Sequence, residues 1–209
     1  MKIIESASEI NDLAAKEEDS GGVYFVTAFS GLLAPYWDSG AAGLIIGISQ
    51  YTNPSHIARA TLEANAFQTR AVIESMKLDS GSDLKHLKVD GGMTNGDLAM
   101  TILADISGFD VVRPEMREYV EALFLFFYKT INSLFFLPRS TALGAALCAG
   151  AAVKAFGWDL SKPETLSQVN TKGTRNFAPT VDVSIREEKW KLWQKAVERS
   201  RNWDEGVDA

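Results

Sequence analysis

The chain has 209 residues, of which 46% are hydrophobic and 23% charged, and its formal net charge is −6. This composition is typical of a soluble globular protein, and an acidic chain without a basic stripe is a poor candidate for binding nucleic acid. The single cysteine, Cys148, excludes an internal disulfide, and the lack of a Cys/His cluster argues against a metal site. We interpret Cys148 as a small buried hydrophobic residue. The start, MKIIESASEI, turns acidic at once, so we expect no secretory signal and a cytoplasmic location.

In chain order, the first half predicts a short helix over residues 4–16 and two strands. The first strand covers residues 23–29, which are β-branched and aromatic, and the second is a buried strand over residues 41–49. Asn53-Pro54-Ser55 is typical of a helix start, because Asn caps a helix and Pro is tolerated in its first turn. We expect this helix to continue to about Lys77.

Apolar residues at helical spacing predict the face that this long helix buries. They are Ile57, Ala60, Ala64, Phe67, Ala71 and Val72.

The second half alternates further strands and helices. The predicted elements are a turn at 79–83, a strand at 86–89, a break at 90–92, a helix at 95–107, a strand at 109–112, a helix of small residues at 142–155, an irregular stretch at 165–177 and a helix at 184–202. The last helix is amphipathic, and its inward residues are predicted to be Ile185, Trp190, Trp193, Val197 and Trp203. Strands that alternate with helices favour an α/β domain with a mixed sheet flanked by helices.

Two glycine-bearing blocks are candidates for ligand contact. In AFSGLLAPYWD, residues 28–38, a strand runs into a tight turn at Gly31 and a rigid aromatic loop. Gly31 either lets a ligand approach the backbone or serves an ordinary packed turn. In VDGGMTN, residues 89–95, two glycines stand between a strand and a helix. Such a junction either admits a flat or phosphorylated ligand at the helix amino terminus or is a turn that needs positive φ.

Together with further blocks, these residues resemble the FGGY carbohydrate kinase family, and within it most of all the glycerol kinase branch. The family's second signature is similar to GLIIGISQYTNPSHIARATLE, residues 43–63. LEANAFQTR and STALGAALCAG also resemble glycerol kinase sequences, and all blocks occur in the family's order. The resemblance extends from about Gly22 to Trp203, apart from one segment. It implies the carboxy-terminal domain of an actin-like, ribonuclease-H-like ATPase fold.

The resemblance implies that ATP lies in a cleft between two domains and that Gly31 and residues 91–95 line the nucleotide site. In that stretch Gly91 and Gly92 would pack against the adenosine and Asn95 would form a hydrogen bond to it. Met93 and Thr94 complete the stretch.

Other residues of the family's motifs are interpreted as structural. His56 and Glu63 match the second signature and are expected to hold the long helix, not to act as acid or base. Residues 142–149 are expected to support the sheet with a small, closely packed face, and His86 is expected at a strand end or on the surface.

We assign no catalytic residue and no metal ligand in this chain. In the family, the catalytic Asp and the phosphate-binding turns lie amino-terminal to the region that this sequence resembles. Asp38 and Asp90 are not promoted to bases, and Asp90 is interpreted as a turn-capping carboxylate. We therefore expect residues 1–20 to be a leader helix from a preceding half, residues 21–209 to be the nucleotide-binding domain, and Mg²⁺ to be held mainly by the missing half.

Residues 119–139 depart from the resemblance, because the family would join Glu118 almost directly to Ser140. Fourteen of these 21 residues are hydrophobic, and five of the chain's eleven Phe lie among them. Polar residues interrupt the run, which argues against a membrane helix. The alternatives are a surface hairpin or helix and an intron read as coding sequence. We favour the intron, because Glu-Tyr-Val at the start can be encoded by a string that contains GTATGT.

The function expected from the resemblance is phosphorylation of glycerol to glycerol 3-phosphate with ATP, by an intact protein of which this chain is an inactive part. ATP or ADP and glycerol are the expected ligands, with a possible homo-oligomer at full length. Three alternatives stay open: half of another FGGY sugar kinase, a non-enzymatic ATP-binding module, and an inert fragment from an incomplete gene model.

Overall fold

A computed structural model of the chain describes residues 3–81, 84, 86–114, 140–166 and 174–204. The apolar segment 119–139 lies outside the described residues, so its interpretations stay predictions. The chain divides into two compact units. One unit comprises Met1–Leu87, Gly96–Val111 and Phe177–Ala209, and the other comprises Lys88–Asn95 and Val112–Asn176.

Helices and strands alternate along the described residues, as predicted. The helices are α1 Ile10–Ala14, α2 Pro54–Ser80, α3 Asp97–Ser107, α4 Ser140–Ala152 and α5 Val183–Ser200. The strands are β1 Tyr24–Val26, β2 Leu44–Ile46, β3 His86–Lys88, β4 Asp110–Arg113 and β5 Arg175–Phe177. Short 3₁₀ turns cover Ala7–Glu9, Gly92–Asn95, Ala155–Gly157 and Pro163–Leu166.

The strands form two sheets. β1 and β2 pair antiparallel, with Phe25 opposite Ile45, and the second sheet has the strand order β3, β4, β5. β1 and β2 have three residues each and are much shorter than predicted. Only these residues pair between the two strands, and the residues on either side of them form loops. The prediction that β2 is a buried strand is wrong, since each of its residues is half-buried.

Helix α2 is the longest described element and follows the sequence prediction closely. The Asn53 side chain accepts hydrogen bonds from the Ser55 and His56 amides, at 2.8 and 3.2 Å. The His56 Nδ1 atom accepts from the Asn53 amide at 3.2 Å, which completes a capping box with His in the place of the usual Glu. The helix continues three residues beyond Lys77, into the predicted turn at 79–83, and ends at Ser80. Gly81 then takes the left-handed conformation that closes many helices.

Helices α1 and α3 pack on α2, and α5 packs on β1. Between α2 and α5 lies a cluster of aromatic rings, and the three most buried are Phe67, Trp190 and Trp193. Trp190, Trp193 and Val197 point inward as predicted. This cluster is the core of the first unit.

Two residues predicted to face inward from α5 do not. Ile185 is 47% exposed and Trp203 is 71% exposed. Ile185 lies in the first turn of α5, ahead of its buried stretch. Trp203 lies beyond the end of the helix at Ser200, where helical spacing no longer applies.

Four further predictions need correction. Helix α1 begins at Ile10, after a 3₁₀ turn, and is shorter than predicted. β5 lies in the stretch predicted to be irregular, because Arg175–Phe177 pair into a sheet that local sequence does not reveal. Cys148 is exposed, so its interpretation as a buried residue is wrong. Ala149 beside it is also exposed, so this part of α4 does not form the closely packed small face that was expected.

Because of Tyr24, the first unit is expected to lose stability at alkaline pH. Burial, followed by the negative charges of Glu63, Glu188 and Asp19, raises the pKa of Tyr24 from 10.0 to about 12. A phenol with a raised pKa in the folded state keeps its proton where the unfolded chain has lost it. The stabilisation that this protonated phenol provides is therefore complete below pH 10 and lost as the pH rises towards 12. We expect the free energy of unfolding, from urea titrations at a series of pH values, to fall in this window. Tyr24→Phe should make the fall shallower, and an unchanged slope in this variant would contradict the assignment.

Candidate functional site

The AFSGLLAPYWD block folds as a loop that pairs with itself. The Leu32 amide donates to the Asp38 carbonyl at 2.7 Å, and the Asp38 amide donates to the Leu32 carbonyl at 2.9 Å. The Gln68 side chain on α2 donates to the Ala34 carbonyl at 3.0 Å and anchors the loop to the helix. These bonds hold the loop as a closed turn at the end of the β1 segment.

Gly31 is required by this closed turn itself. Its φ is +78°, and a Cβ atom there would lie 2.7 Å from the Asp38 carbonyl oxygen and 2.8 Å from the Ser39 Cα. Any other residue would collide with backbone, so the ordinary packed-turn interpretation explains this glycine. Gly31 also lines an open cavity of about 540 Å³ with Phe25, Phe29 and others. A nucleotide contact at Gly31 stays a prediction.

Asp38 is a structural carboxylate that three donors hold in place. It is 8% exposed, and its oxygens accept hydrogen bonds from the Gly40 amide, the Asn202 amide and the Arg201 guanidinium, at 3.0, 3.2 and 3.3 Å. A carboxylate with three donors joins the loop to the end of α5.

The VDGGMTN block forms a tight turn in the second unit. The Asp90 carboxylate accepts from the Gly91 amide at 2.7 Å, which is the turn-capping role expected of it. The Thr94 amide and hydroxyl both donate to the Gly91 carbonyl, at 3.0 and 2.7 Å. A side chain that sequence reasoning missed completes the turn, because the Arg113 Nη1 donates to the Thr94 carbonyl at 2.6 Å.

The two glycines of this turn border open space. Gly91 has φ +105°, and a Cβ built on either Gly91 or Gly92 meets no atom within 4 Å. Gly91, Gly92, Met93 and Asn95 are exposed, and Thr94 is half-buried. At Gly91 the positive φ explains the glycine, but at Gly92 neither φ nor crowding does. The absence of a side chain at Gly92 thus leaves room that the fold does not use.

One part of the sequence argument for this block is wrong. The glycines were expected to stand directly at a helix amino terminus, but a 3₁₀ turn over Gly92–Asn95 intervenes and α3 begins at Asp97. The Ala99 amide in the first turn of α3 already donates to the Asn11 side chain of α1. The two glycines therefore do not stand directly at the amino terminus of α3.

His56 and Glu63 hold helices, as expected. The His56 ring caps α2, and its Nε2 lies 3.6 Å from a Glu17 carboxylate oxygen. Glu63 is 3% exposed and lies 3.3 Å from the Lys189 ammonium on α5 and 3.6 Å from the Arg59 guanidinium. His86 is exposed at the start of β3, also as expected.

The described residues contain no group of three or more His, Cys, Asp or Glu side chains that could hold a metal ion. Within the same ranges, every helix is too short or too polar to cross a membrane. Among the described residues, the two turns with glycines remain as candidate ligand contacts. Of these, the turn at residues 91–95 has an exposed backbone at its glycines.

The sequence profile of the FGGY family of carbohydrate kinases, C-terminal domain, matches residues 2–122. The chain belongs to this family. The resemblance found in its motifs is thereby confirmed. The matched part of this FGGY chain ends inside the apolar segment.

The curated relatives of the FGGY chain include bacterial glycerol kinases. The glycerol kinase of Clavibacter michiganensis subsp. michiganensis is 46% identical over 201 residues, which cover 96% of this chain and 35% of that protein. The glycerol kinase of Beijerinckia indica subsp. indica is 44% identical over 203 residues, which cover 97% of this chain and 35% of that protein. The chain thus spans about a third of the length of these relatives.

Solved structures agree with the predicted fold class. A glycerol kinase of Plasmodium falciparum with ADP matches with a TM-score of 0.75 and 34% identity, over 95% of this chain and 35% of that one. A ligand-bound xylulose kinase of Lactobacillus acidophilus matches with a TM-score of 0.62 and 17% identity, over 96% and 35%. The second likeness shows the fold alone, and together they confirm the α/β, actin-like fold.

Proposed function

We propose that this chain forms the nucleotide-binding, carboxy-terminal part of an ATP-dependent glycerol kinase. The whole protein would transfer the γ-phosphoryl group of ATP to glycerol and release glycerol 3-phosphate and ADP. The observation that carries the proposal is the match of nearly the entire chain to glycerol kinases, together with a Plasmodium falciparum glycerol kinase structure that contains ADP. Residues 21–209 are proposed as the nucleotide-binding domain and residues 1–20 as a leader helix.

The turn of residues 91–95 is the proposed adenosine contact. Gly91 and Gly92 leave a surface without side chains on which a flat base can lie, and Asn95 supplies an exposed amide with both a donor and an acceptor. Met93, which is 45% exposed, and Thr94 complete the contact. The role of the chain in this proposal is to bind and orient the nucleotide, with no acid or base of its own.

Glycerol is proposed as the acceptor in preference to a sugar. Identity with the Plasmodium falciparum glycerol kinase is 34%, whereas identity with the xylulose kinase of Lactobacillus acidophilus is 17%. Transfer from ATP to glycerol and to xylulose by the intact protein distinguishes the two. A preference for xylulose would assign the chain to another branch of the family.

Mg²⁺ enters the proposal only through its coordination with ATP. We propose that the ion is held mainly by parts of the protein outside this chain, because in the family the phosphate-binding turns lie amino-terminal to the region that this sequence resembles. A cytoplasmic location and self-association of the intact protein are likewise proposals.

Gly92→Ala tests the proposed adenosine contact. The new Cβ meets no protein atom within 4 Å, so we expect an unchanged melting temperature. If adenosine packs on this surface, the methyl group separates it from the backbone, and we expect the affinity for ADP to fall about tenfold, which corresponds to about 1.4 kcal/mol. Calorimetric titration of ADP into the full chain measures the affinity.

Gly144→Ala is the matched control. Gly144 lies in α4, and a Cβ there also meets no atom within 4 Å. This variant should bind ADP as the parent does and should be at least as stable, because Ala favours a helix over Gly. Equal ADP affinity of the Gly92→Ala variant and the parent would refute the contact. ADP binding by the chain without any phosphoryl transfer in the intact protein would favour the non-enzymatic binding module.

A further inference from the structure

The Arg113 side chain reaches from the end of β4 to the turn that is the proposed adenosine contact. Its Nη1 donates to the Thr94 carbonyl at 2.6 Å, and both groups belong to the second unit. The backbone beside it is also paired, since the Val89 amide donates to the Val112 carbonyl at 3.1 Å. Both Arg113 and Thr94 are half-buried, which limits competition from water. A charge-assisted hydrogen bond of this length is among the stronger ones in proteins.

The bond from Arg113 fixes more than one atom, because a peptide unit is planar. The carbonyl of Thr94 and the amide of Asn95 belong to the same planar unit, with the C=O and N–H on opposite sides. When Arg113 holds the oxygen towards β4, the Asn95 amide is turned away from β4. The direction of the Asn95 Cα–Cβ bond is then restricted as well.

The other end of the turn is fixed in the same way. Two donors of Thr94 hold the Gly91 carbonyl, which shares its peptide unit with the Gly92 amide. Gly91 itself has a positive φ and gains no rigidity from a side chain, so the turn depends on hydrogen bonds for its rigidity. The bond from Arg113 comes from outside residues 90–95.

We infer that Arg113 is a positioning residue for nucleotide binding: it holds the Thr94–Asn95 peptide so that Asn95 and the two glycines face the adenosine. This inference rests on the proposed function of the turn. It assigns to Arg113 no contact with the nucleotide itself. Loss of the guanidinium should therefore loosen the turn in the free protein and weaken binding indirectly.

Arg113→Met removes every donor and retains the length of the side chain. We expect faster amide hydrogen exchange in the peptide that covers residues 90–96 without nucleotide, and an ADP affinity lower by about tenfold. Arg113→Lys keeps one charged donor and should restore part of both effects. The full chain is used for both measurements, and the melting temperature identifies any variant that does not fold.

Arg199→Met is the matched control, because the Arg199 Nη1 also donates to a backbone carbonyl, that of Lys195 on α5, at 3.0 Å. It should change neither exchange in residues 90–96 nor ADP affinity.

Unchanged exchange in Arg113→Met would overturn the inference. So would faster exchange with unchanged ADP affinity, provided that Gly92→Ala weakens binding. If the parent chain does not bind ADP, the proposed function of the turn fails. The inferred role of Arg113 in nucleotide binding then fails with it. The hydrogen-exchange result still shows whether Arg113 orders the turn.

Discussion

Replacement of Trp193 by alanine is expected to lower the free energy of unfolding by about 3–5 kcal/mol. Trp193 is 1% exposed and lies at the centre of the aromatic cluster between α2 and α5. Its ring stacks on Phe67 and on Trp190, with centroids 5.5 and 5.3 Å apart. Its Nε1 also donates to the Phe25 carbonyl at 3.0 Å, so the same side chain ties α5 to β1. Truncation would leave a cavity that rigid neighbours on two helices cannot fill.

Urea titration followed by far-UV circular dichroism measures this loss. Trp203→Ala is the matched control, because the same side chain at Trp203 is 71% exposed. We expect that variant to stay within about 0.5 kcal/mol of the parent. Similar losses for the two variants would show that the cluster around Trp193 is not the core of the first unit.

Arg70→Met is expected to cost about 2–4 kcal/mol, which is large for a substitution that nearly preserves side-chain length. Arg70 is 8% exposed and joins three helices. Its Nε and Nη2 each lie 2.7 Å from a carboxylate oxygen, of Glu74 on α2 and of Glu187 on α5, and its Nη1 donates to the Ile106 carbonyl of α3 at 3.3 Å. The guanidinium also lies over the Trp190 ring, 4.7 Å from its centroid. Methionine supplies none of these polar contacts.

A double-mutant cycle separates the interaction energy of the Arg70–Glu187 pair from the effect of lost side-chain volume. The Glu74 and Glu187 side chains are 45% and 43% exposed, so water can solvate them once Arg70 is gone, and the expected cost stays below that of a fully buried pair. We expect Arg70→Met and Glu187→Gln together to cost less than the sum of the two, by about 1 kcal/mol. Strict additivity would indicate that the pair contributes no interaction energy.

Local sequence determined much of this molecule. Helix α2 could be predicted because its start depends on Asn53 and Pro54 and its inner face on residues three and four apart, and both act over a few residues. The turn at residues 89–95 could be predicted as well, because Gly91 takes a positive φ and the neighbouring Asp90 carboxylate accepts from its amide. The alternation of strands and helices predicted the α/β class. Family motifs then supplied the actin-like fold and the candidate nucleotide contact, which neither composition nor spacing provides.

The tertiary structure decided what depends on residues distant in sequence. Ile185 is exposed although helical spacing places it on the same face of α5 as Trp193. Periodicity predicts which face of a helix is buried, but not at which turn that face begins to contact a neighbour. β5 forms only through pairing with a distant strand. Arg70 meets Glu187 across 117 positions, and Arg113 meets Thr94 across 19. No local pattern marks such partners, because the bond depends on where the fold brings the two backbones together. The sequence therefore predicted the turn at residues 91–95 from local residues, whereas only the structure revealed that Arg113 holds it.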